Sequence, residues 1–595
     1  MSARIIPCHP FDLGWEDFAL PSREPCDNFA LTPAQARART DLSLARFAGV
    51  SPRLIRFVPG ETLYWSVLVV NDQPESRTFT LSLDMPNAGG QLWYQHPWYT
   101  LGRAILPEAR RYLVPELLLK HNRITSARDL MVPIPGLPDH AASDAPLVLD
   151  VPGGGFVKLL IKVPAAPNRP IRGRLLAGAT SLFTFEADPI PVPSPSTRNV
   201  WHGFYYGLIP NSDFPRHRVS DETFDQDLVY LSELGVNSLI IGTEILNPAQ
   251  FERLAKHGIR RLVLRAESPD RVRDLLAEGE RHGIEVFFYT QDEPHASRET
   301  VKKHLSKARR IRAGGGKTFT AISAALDQKA YIRDTLDMPN VAVWSLPAME
   351  KVGKPRHRGV YYWQCSFERP IINRYLAGIF CHMTGSPGFM PFVFRDGFDQ
   401  ARPESVFESD ISPLYENFRQ HMLGYPSSTG PIRTIQGEAF RQGLNDWLVF
   451  AAVREHAPEG FAILLRQLAP TWRETMTTGV LQDMYNGRTR PLLQPGPVTM
   501  AWLDQTRRRA LDLLVHARSR QTRFDPVPAD PAEVAVLFDL RHGRLKVLPA
   551  GMTLIDFPLC LIEGFPPDAD PDAIGKALFG QDPNQVKSWT LRTDS

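Results

Sequence analysis

Residues 261–294, RLVLRAESPDRVRDLLAEGERHGIEVFFYTQDEP, contain one complete strand–helix–strand repeat. Short apolar runs predict strands at Arg261–Leu264 and Glu285–Thr290. Between them, Pro269 stands where the first residue of a helix is expected, and Gly283 stands where a helix ends, just before the second strand. This order of elements is typical of a parallel sheet whose strands are connected by helices.

The same alternation of apolar runs and amphipathic stretches continues on both sides of this repeat. In ETFDQDLVYLSELGVN, for example, Asp221 is the predicted helix cap and Gly235 the predicted stop. The chain then has eight predicted strands, which suits a closed (β/α)8, TIM-like barrel. The six further strands are predicted at His202–Leu208, Ser238–Gly242, Lys317–Ile322, Val341–Ser345, Gly359–Cys365 and Phe389–Phe394.

The sequence before the barrel has a different pattern. From Arg53 onward, RLIRFVPGETLYWSVLVVND, SRTFTLSLDMP and GGGFVKLLIKVP are β-branched and aromatic runs separated by turn residues, without long helical stretches between them. This predicts an N-terminal antiparallel β-sandwich, joined to the barrel by the stiff, proline-rich segment PIPVPSPSTR. We expect four segments: a β-sandwich at 1–195, the barrel at 196–455, closing helices packed on the barrel at 456–525, and a small C-terminal β-containing extension at 526–595.

Composition excludes several classes of protein. The chain has 595 residues with a formal net charge of +3, too small to gather polyanions, so nucleic acid is not an expected partner. Its five cysteines lie far apart and predict neither a disulfide framework nor a zinc site. No signal-peptide pattern occurs near the start, which predicts a cytoplasmic protein. The uncharged stretch Tyr375–Phe394 contains prolines and glycines, which favours a buried helix, a turn and a strand over a membrane span.

The segment FFYTQDEP, residues 287–294, is the strongest candidate for a catalytic site. It carries an apolar strand directly into Gln291, Asp292 and Glu293, at the end of a barrel strand where catalytic groups are expected. Two adjacent carboxylates raise each other's pKa, which is one way to keep a general acid protonated near neutral pH. The alternative is a solvated loop in which acidic residues open a helix. Pro294 predicts an extended backbone at Glu293.

Three motifs resemble the catalytic domain of glycoside hydrolase family 123. YTQDEP, residues 289–294, is similar to that family's strand ending in Asp-Glu-Pro, and YYWQC, residues 361–365, followed by NRYLAGIF, is similar to its seventh strand and the helix after it. IQGEAFRQGLNDW, residues 435–447, is similar to the family's closing pattern Glu-Ala-x-Arg-x-Gly-x-x-Asp-aromatic. The order of a β-sandwich, a proline-rich join and a barrel is also similar.

The resemblance implies a retaining exo-hydrolase of 2-acetamido sugars, β-linked N-acetylgalactosamine in the described members, acting by substrate-assisted catalysis. In such enzymes the nucleophile is the acetamido oxygen of the substrate itself, an exception to the usual two-carboxylate scheme. Carried over, Glu293 would protonate the glycosidic oxygen and later activate water, while Asp292 would orient the acetamido group. No metal or organic cofactor is needed, and the partner would be an oligosaccharide or glycoconjugate.

Further residues at predicted strand ends are candidates for substrate binding, although aromatic residues there are as often part of the core. Arg395 would bring a cation to the barrel mouth and so favours an acidic or sulfated saccharide, unless it pairs with Asp396 or Glu293 as structural support. Two alternatives to the acetamido-sugar hydrolase stay open: a non-catalytic saccharide-binding or scaffold protein, and a glycosidase for another sugar with a distant carboxylate such as Glu244 as nucleophile. The candidates are Tyr205, Tyr206, Glu244, Gln291, Trp344, Gln364 and Arg395.

Overall fold

The contacts in a computed structural model divide the chain into two compact units. The first comprises Met1–Ala452 with Leu465–Leu511, and the second comprises Val453–Leu464 with Asp512–Ser595. The structure describes residues 3–11, 54–102, 110–124, 129–130, 132, 134–139, 144–197, 199–210, 212, 218–242, 246–294, 297–322, 335–343, 359–362, 370–395, 423–427, 430–477, 498–522, 534–539, 544–547 and 561–565.

The N-terminal part of the first unit is a β-sandwich, as the sequence predicts, but two of its strands come from the part of the sequence that follows the last barrel strand. With strands numbered in chain order, these are β19 (Gly424–Tyr425) and β20 (Ile432–Thr434). The other strands are β1 Ala3–Cys8, β2 Leu54–Phe57, β3 Leu63–Asn71, β4 Arg77–Asp84, β5 Gln91–Gly102, β6 Arg110–Leu119, β7 Leu147–Val151, β8 Phe156–Val163, β9 Ile171–Ala177 and β10 Thr180–Pro189. One sheet has the order β1-β3-β8-β5-β6-β20-β19 and the other β2-β10-β9-β4-β7. All pairs are antiparallel except β2 with β10, which is parallel.

Strand β3 shows why this region folds as a sandwich. Trp65 and alternate residues on either side of it face the second sheet, where the Trp65 ring centroid lies 4.7 Å from that of Phe185. The intervening residues face away from that sheet: Tyr64 belongs to a buried cluster with Ile435 and Ala439, while Leu68 and Val70 belong to another with Cys8 and Phe156. The whole strand is therefore buried on both faces, which explains its nearly continuous apolar sequence.

Eight parallel strands form a closed barrel in chain order. The strands at Arg261–Leu264 and Lys317–Ile322 match their predicted bounds, while the strand predicted from Val341 begins three residues earlier. The eighth is the shortest, because Pro391 has no N–H to donate to a ladder, and only single contacts such as the bridge between Tyr206 and Arg395 continue it. The strands are β11 Trp201–Tyr205, β12 Ser238–Ile240, β13 Arg261–Leu264, β14 Glu285–Tyr289, β15 Lys317–Ile322, β16 Met338–Ala342, β17 Val360–Tyr362 and β18 Gly388–Phe389.

Helices follow the first four barrel strands and lie where the sequence places them. The first begins at Asp221, but its cap is Ser220, whose side chain accepts a hydrogen bond from the backbone N–H of Thr223, so the prediction of Asp221 as the cap is wrong. The segment predicted as a helix, a turn and a strand contains two short helices, a turn at Gly385 with φ of 69°, and β18. The helices are α1 Asp221–Glu233, α2 Pro248–Lys256, α3 Pro269–Arg281, α4 Arg298–Ala313, α5 Pro370–Ala377, α6 Ile379–Thr384, α7 Ile435–His456, α8 Pro458–Thr477 and α9 Met500–Thr522.

Helix α7 carries the closing motif IQGEAFRQGLNDW and fastens the sandwich to the barrel. Glu438 is fully buried; its carboxylate accepts hydrogen bonds from Tyr64 Oη at 2.7 Å and Lys162 Nζ at 2.9 Å, both on sandwich strands. Arg441 Nε donates to Thr62 Oγ1 at 2.8 Å. Glu438 and Arg441 of this motif therefore connect the helix to the sandwich.

The same helix is tied to α5 by a buried ion pair. Arg374 Nε donates to Asp446 Oδ2 at 2.7 Å, and the two side chains are 1% and 0% exposed. Gly443 makes the close approach possible, because a Cβ there would lie 2.6 Å from the carbonyl oxygen of Arg374. Arg507 Nη1 also donates to Asp446, at 3.2 Å.

The second compact unit contains an antiparallel sheet with the order β22-β21-β23. Its strands are β21 Val534–Asp539, β22 Arg544–Val547 and β23 Leu561–Phe565. A β structure in this part of the chain is what the run VAVLFDLRHGRLKVLP predicts. Among the described residues of the whole chain, no helix combines the length and the apolarity needed to cross a membrane.

Candidate active site

Tyrosine side chains from opposite parts of the barrel meet at the carboxyl ends of its strands. Tyr205 ends β11 and Tyr289 ends β14, and their hydroxyl oxygens lie 3.3 Å apart. The Phe392 ring packs edge-on against Tyr205, with 5.3 Å between the ring centroids. This is the end of a barrel where active sites are built.

Asp292 joins this group through a hydrogen bond from Tyr289, whose Oη donates to Asp292 Oδ1 at 2.7 Å. Partial burial raises the pKa of Asp292, and the neighbouring Glu293 carboxylate adds to this effect. The Tyr289 hydrogen bond and the positive charge of Arg265, the residue after β13, act in the opposite direction. The residue keeps an exposed edge, so a ligand has access to the carboxylate.

Glu293 has a strained backbone. Its φ is +38°, in the left-handed region that side chains other than glycine and asparagine rarely adopt, so the prediction of an extended conformation before Pro294 is wrong. Such conformations cost about 1–3 kcal/mol and cluster at functional sites. The chain also turns here instead of continuing as a strand, so Asp292 and Glu293 do not have to face opposite ways.

The loop before Asp292 is anchored from behind. Thr320 Oγ1 donates a short hydrogen bond to the Gln291 carbonyl oxygen, and the Thr290 N–H donates to the Phe319 carbonyl oxygen at 3.0 Å. The fully buried His304 of α4 lies with Nδ1 2.8 Å from Thr290 Oγ1. The loop therefore leaves the barrel in a defined direction.

His304 makes the fold sensitive to acid. Burial, with a smaller contribution from Arg312, lowers its pKa to about 4, whereas the unfolded chain protonates it near pH 6.5. Between these values the unfolded state binds more protons, so we expect the free energy of unfolding to fall as the pH is lowered from 7 towards 4. Urea unfolding at a series of pH values should show a smaller fall in His304→Gln. An identical fall in both proteins would contradict this.

Two predicted substrate-binding residues face away from the site. Tyr206 is fully buried and its Oη donates to Asp227 Oδ2 at 2.9 Å. Arg395 is 1% exposed and its Nη2 donates to the same carboxylate oxygen at 2.6 Å. Placing these two residues at the barrel mouth was therefore wrong, because strand alternation directs them towards α1. Burial raises the pKa of Asp227 to about 6, against the opposing effect of Arg395.

The remaining candidates divide into two groups. Tyr205 lies in the site, and Gln291 lies next to Asp292, with its Nε2 3.4 Å from the Asp292 carbonyl oxygen. Glu244, Trp344 and Gln364 fall outside the described residues. Their roles in substrate binding stay predictions.

Sequence reasoning missed Arg265, Tyr289 and Asn340 as members of the site. Arg265 and Tyr289 both stand at strand ends, a signal that was available in the sequence. Asn340 is a fully buried amide on β16, and its Nδ2 lies 3.5 Å from Tyr205 Oη. Asn340 was missed because the strand predicted from the sequence begins at Val341, one residue after it.

A cavity lies at the opposite end of the barrel from these tyrosines. It has a volume of about 750 Å³ and is bordered by residues that precede β12, β13 and β14, among them Asn237, Arg260 and Gly283, and by the linker residue Thr197. The amino-terminal end of a barrel is ordinarily the end that serves stability. The cavity therefore does not compete with the tyrosine-lined end as the candidate active site.

Comparison with known proteins adds evidence about the fold. The structure is similar to that of a family 123 glycoside hydrolase from Clostridium perfringens, solved in work on glycolipid glycan hydrolysis. The two share 11% sequence identity, the match covers 82% of this chain and 96% of that one, and the TM-score is 0.51. The resemblance in fold that the sequence motifs indicated is confirmed.

More distant matches add nothing to this. A family 39 glycoside hydrolase from Bacteroides cellulosilyticus WH2 matches 68% of this chain and 81% of its own, at 8% identity and a TM-score of 0.28. A scan against protein-family models finds no match, and a search of curated proteins finds none either.

Proposed function

We propose that the chain is a glycoside hydrolase, a retaining exo-acting enzyme for 2-acetamido sugars that works by substrate-assisted catalysis. The observation that carries the proposal is the Asp292–Glu293 pair, held just beyond a barrel strand by the Tyr289 hydrogen bond and by the left-handed backbone of Glu293. Glycosidic bond cleavage needs an acid for the leaving oxygen and a stabiliser for the developing positive charge. Two adjacent carboxyl groups in different environments can divide these tasks.

Glu293 is the proposed acid and base. In the first step it protonates the leaving glycosidic oxygen while the acetamido oxygen of the substrate attacks the anomeric carbon. In the second step it takes a proton from water, which opens the oxazolinium-like ring. The left-handed backbone at Glu293 turns the chain away from the strand direction, so this turn helps to set the position of its side chain.

Asp292 is the proposed partner of the acetamido N–H. As a carboxylate it accepts that hydrogen bond and stabilises the positive charge that spreads over the oxazolinium-like ring. Burial raises the pKa of Asp292, and the donation from Tyr289 and the charge of Arg265 oppose this effect and favour the ionised form that the role requires. The fold match supports a glycoconjugate substrate, because the Clostridium perfringens protein is described in connection with glycolipid glycans.

A pair of substrates tests the proposal. An aryl 2-acetamido-2-deoxy-β-galactoside should be hydrolysed with retention of configuration, and the matching aryl β-galactoside should not, because it lacks the acetamido oxygen that acts as nucleophile. A thiazoline analogue of the bicyclic intermediate should inhibit. Equal hydrolysis of both substrates would contradict substrate assistance, and binding of the sugar without hydrolysis would favour a non-catalytic saccharide-binding protein.

A second candidate, a glycosidase for an acidic sugar, is favoured by Arg265. Arg265 is exposed and its charge acts on Asp292, so Arg265, and not the buried Arg395, is the cation near the carboxylate pair. Aryl uronides and sulfated acetamido-galactosides in the same assay distinguish the two candidates. Preference for the charged substrate, reduced in Arg265→Gln, would favour the second.

A further inference from the structure

A series of hydrogen bonds crosses the inside of the barrel and ends on Asp292. We propose that Asn340 is a positioning residue for Asp292 and acts on it through Tyr205 and Tyr289. The inference rests on the proposed function, because it assigns Asp292 a task that needs one orientation and one charge state. It adds a residue that touches neither carboxylate.

The geometry of the series is set by the barrel. Asn340 lies on the sixth barrel strand, β16, and Tyr205 on the first, β11, so their contact spans the lumen instead of following the sheet. Asn340 Nδ2 is 3.5 Å from Tyr205 Oη, Tyr205 Oη is 3.3 Å from Tyr289 Oη, and Tyr289 Oη is 2.7 Å from Asp292 Oδ1. The bonds shorten towards the carboxylate.

The direction of donation follows from counting protons. Tyr289 has one hydroxyl hydrogen, which goes to Asp292, while its oxygen also receives the N–H of Ala321 at 3.4 Å. Tyr205 must therefore donate to Tyr289, and the oxygen of Tyr205 accepts from the Asn340 amide. Burial raises the pKa of both tyrosines, so both stay protonated as donors. Bonds aligned in one direction strengthen one another.

The other end of Asn340 argues against a purely structural role. Its Oδ1 is buried and has no hydrogen-bond partner in the part of the chain that the structure describes. An unpaired buried oxygen is a cost to stability that leucine at the same position would not carry. Nδ2 donates both to Tyr205 Oη and to the Met390 carbonyl oxygen, each at 3.5 Å, and this donor function explains why an amide stands at this point of an otherwise largely apolar strand.

The charge state of Asp292 is the quantity that the series should control. The other charged groups whose influence on Asp292 is established are Glu293, which raises its pKa, and Arg265, which lowers it. Donation from Tyr289 also lowers it, so loss of the series raises the pKa of Asp292. If the enzyme needs ionised Asp292, the acid limb of its pH–activity profile then moves to higher pH.

Asn340→Leu is the central variant, because it removes the donor and the unpaired oxygen in a similar volume. We expect unfolding stability close to that of the wild type, because removal of the unpaired oxygen offsets loss of the long Nδ2 bond to the Met390 carbonyl oxygen. We also expect kcat lower by about 3- to 10-fold with little change in KM, and an acid limb of kcat/KM moved to higher pH. Tyr205→Phe and Tyr289→Phe should give progressively larger shifts. Asn340→Leu should add nothing further in the Tyr205→Phe background.

Controls separate this series from other effects. Tyr206→Phe removes a hydroxyl from the next position of the chain, outside the series, and should leave the acid limb in place. Arg265→Gln should also move the acid limb to higher pH. Because Arg265 is exposed, salt screens its charge, so this shift should shrink with added salt, whereas the shift in Asn340→Leu should persist. An unmoved acid limb in a stable Asn340→Leu protein would overturn the inference.

A readout that does not need activity keeps the two proposals apart. In protein labelled with ¹³C at aspartate carboxyl groups, the Asp292 signal is identified by its loss in Asp292→Asn and followed during a pH titration. We expect its midpoint to rise in Asn340→Leu even if no glycoside is hydrolysed. An unchanged midpoint overturns the positioning role, while failed hydrolysis with a shifted midpoint overturns only the proposed function.

Discussion

Glu293→Gln is expected to lower kcat/KM for an aryl 2-acetamido-β-galactoside by about 10²- to 10⁴-fold, the usual contribution of a general acid–base group. The amide keeps the size of the side chain but supplies no proton to the leaving oxygen. The loss should therefore be larger for a poor leaving group, such as an alkyl glycoside, than for a dinitrophenyl glycoside. Steady-state kinetics with both substrates measure this.

A matched control is available on the helix that follows. Glu299 is exposed and pairs only with Lys303 among the ion pairs described for it, so Glu299→Gln should leave the kinetics unchanged. Hydrolysis that survives intact in Glu293→Gln would remove this residue from the mechanism. A loss that is equal for good and poor leaving groups would also exclude it as the acid.

The backbone of Glu293 allows a second, independent arm of the same experiment. Glycine adopts positive φ freely, so Glu293→Gly should stabilise the protein relative to Glu293→Gln by about 1 kcal/mol or more while activity stays lost. This opposite movement of stability and activity is what a strained catalytic residue predicts. Lower stability of the glycine variant, measured by urea unfolding, would show that φ of +38° is not strained in this setting.

Asp446→Ala is expected to destabilise the fold by about 3–5 kcal/mol, the usual cost of removing one partner from a buried ion pair. The loss removes the buried carboxylate that Arg374 Nε contacts at 2.7 Å and leaves this 1% exposed arginine with the partly exposed Asp504 as its ion-pair partner. Arg507 loses a contact to the same side chain. Urea unfolding of the variant and the wild type measures the difference.

An exposed ion pair provides the comparison. Arg4 and Asp72 are 49% and 45% exposed, and their pair lies on the sandwich, so Asp72→Ala should cost no more than about 1 kcal/mol. If Asp446→Ala were equally mild but abolished hydrolysis, the closing motif would serve the chemistry and not the interface. The structure supports the interface role, because the motif residues Glu438 and Arg441 both reach sandwich residues.

The ends of predicted strands indicated where the candidate site lies, but not which of the side chains there point into it. The apolar run before QDEP was enough to predict both the barrel strand and the carboxylates beyond it. Arg395 also follows an apolar run, yet it points to Asp227. A shift of one residue along a strand turns a side chain to the opposite face. Because β18 has only two residues and continues irregularly, the sequence does not show which face Arg395 occupies.

The amino-acid sequence was sufficient to determine that this chain combines a β-sandwich with a barrel of alternating strands and helices. Apolar runs mark the buried strands, amphipathic stretches mark the helices, and turn residues separate them, so these local patterns can be read without knowing any long-range contact. Tertiary structure decided which distant side chains meet. Asn340 and Tyr205 stand 135 residues apart, and the short strand β20 joins a sheet whose long strands lie hundreds of residues earlier. Such contacts leave no periodic signal, since they depend on how the closed barrel places its first and sixth strands across the lumen and on how the chain after the barrel returns to the sandwich sheet.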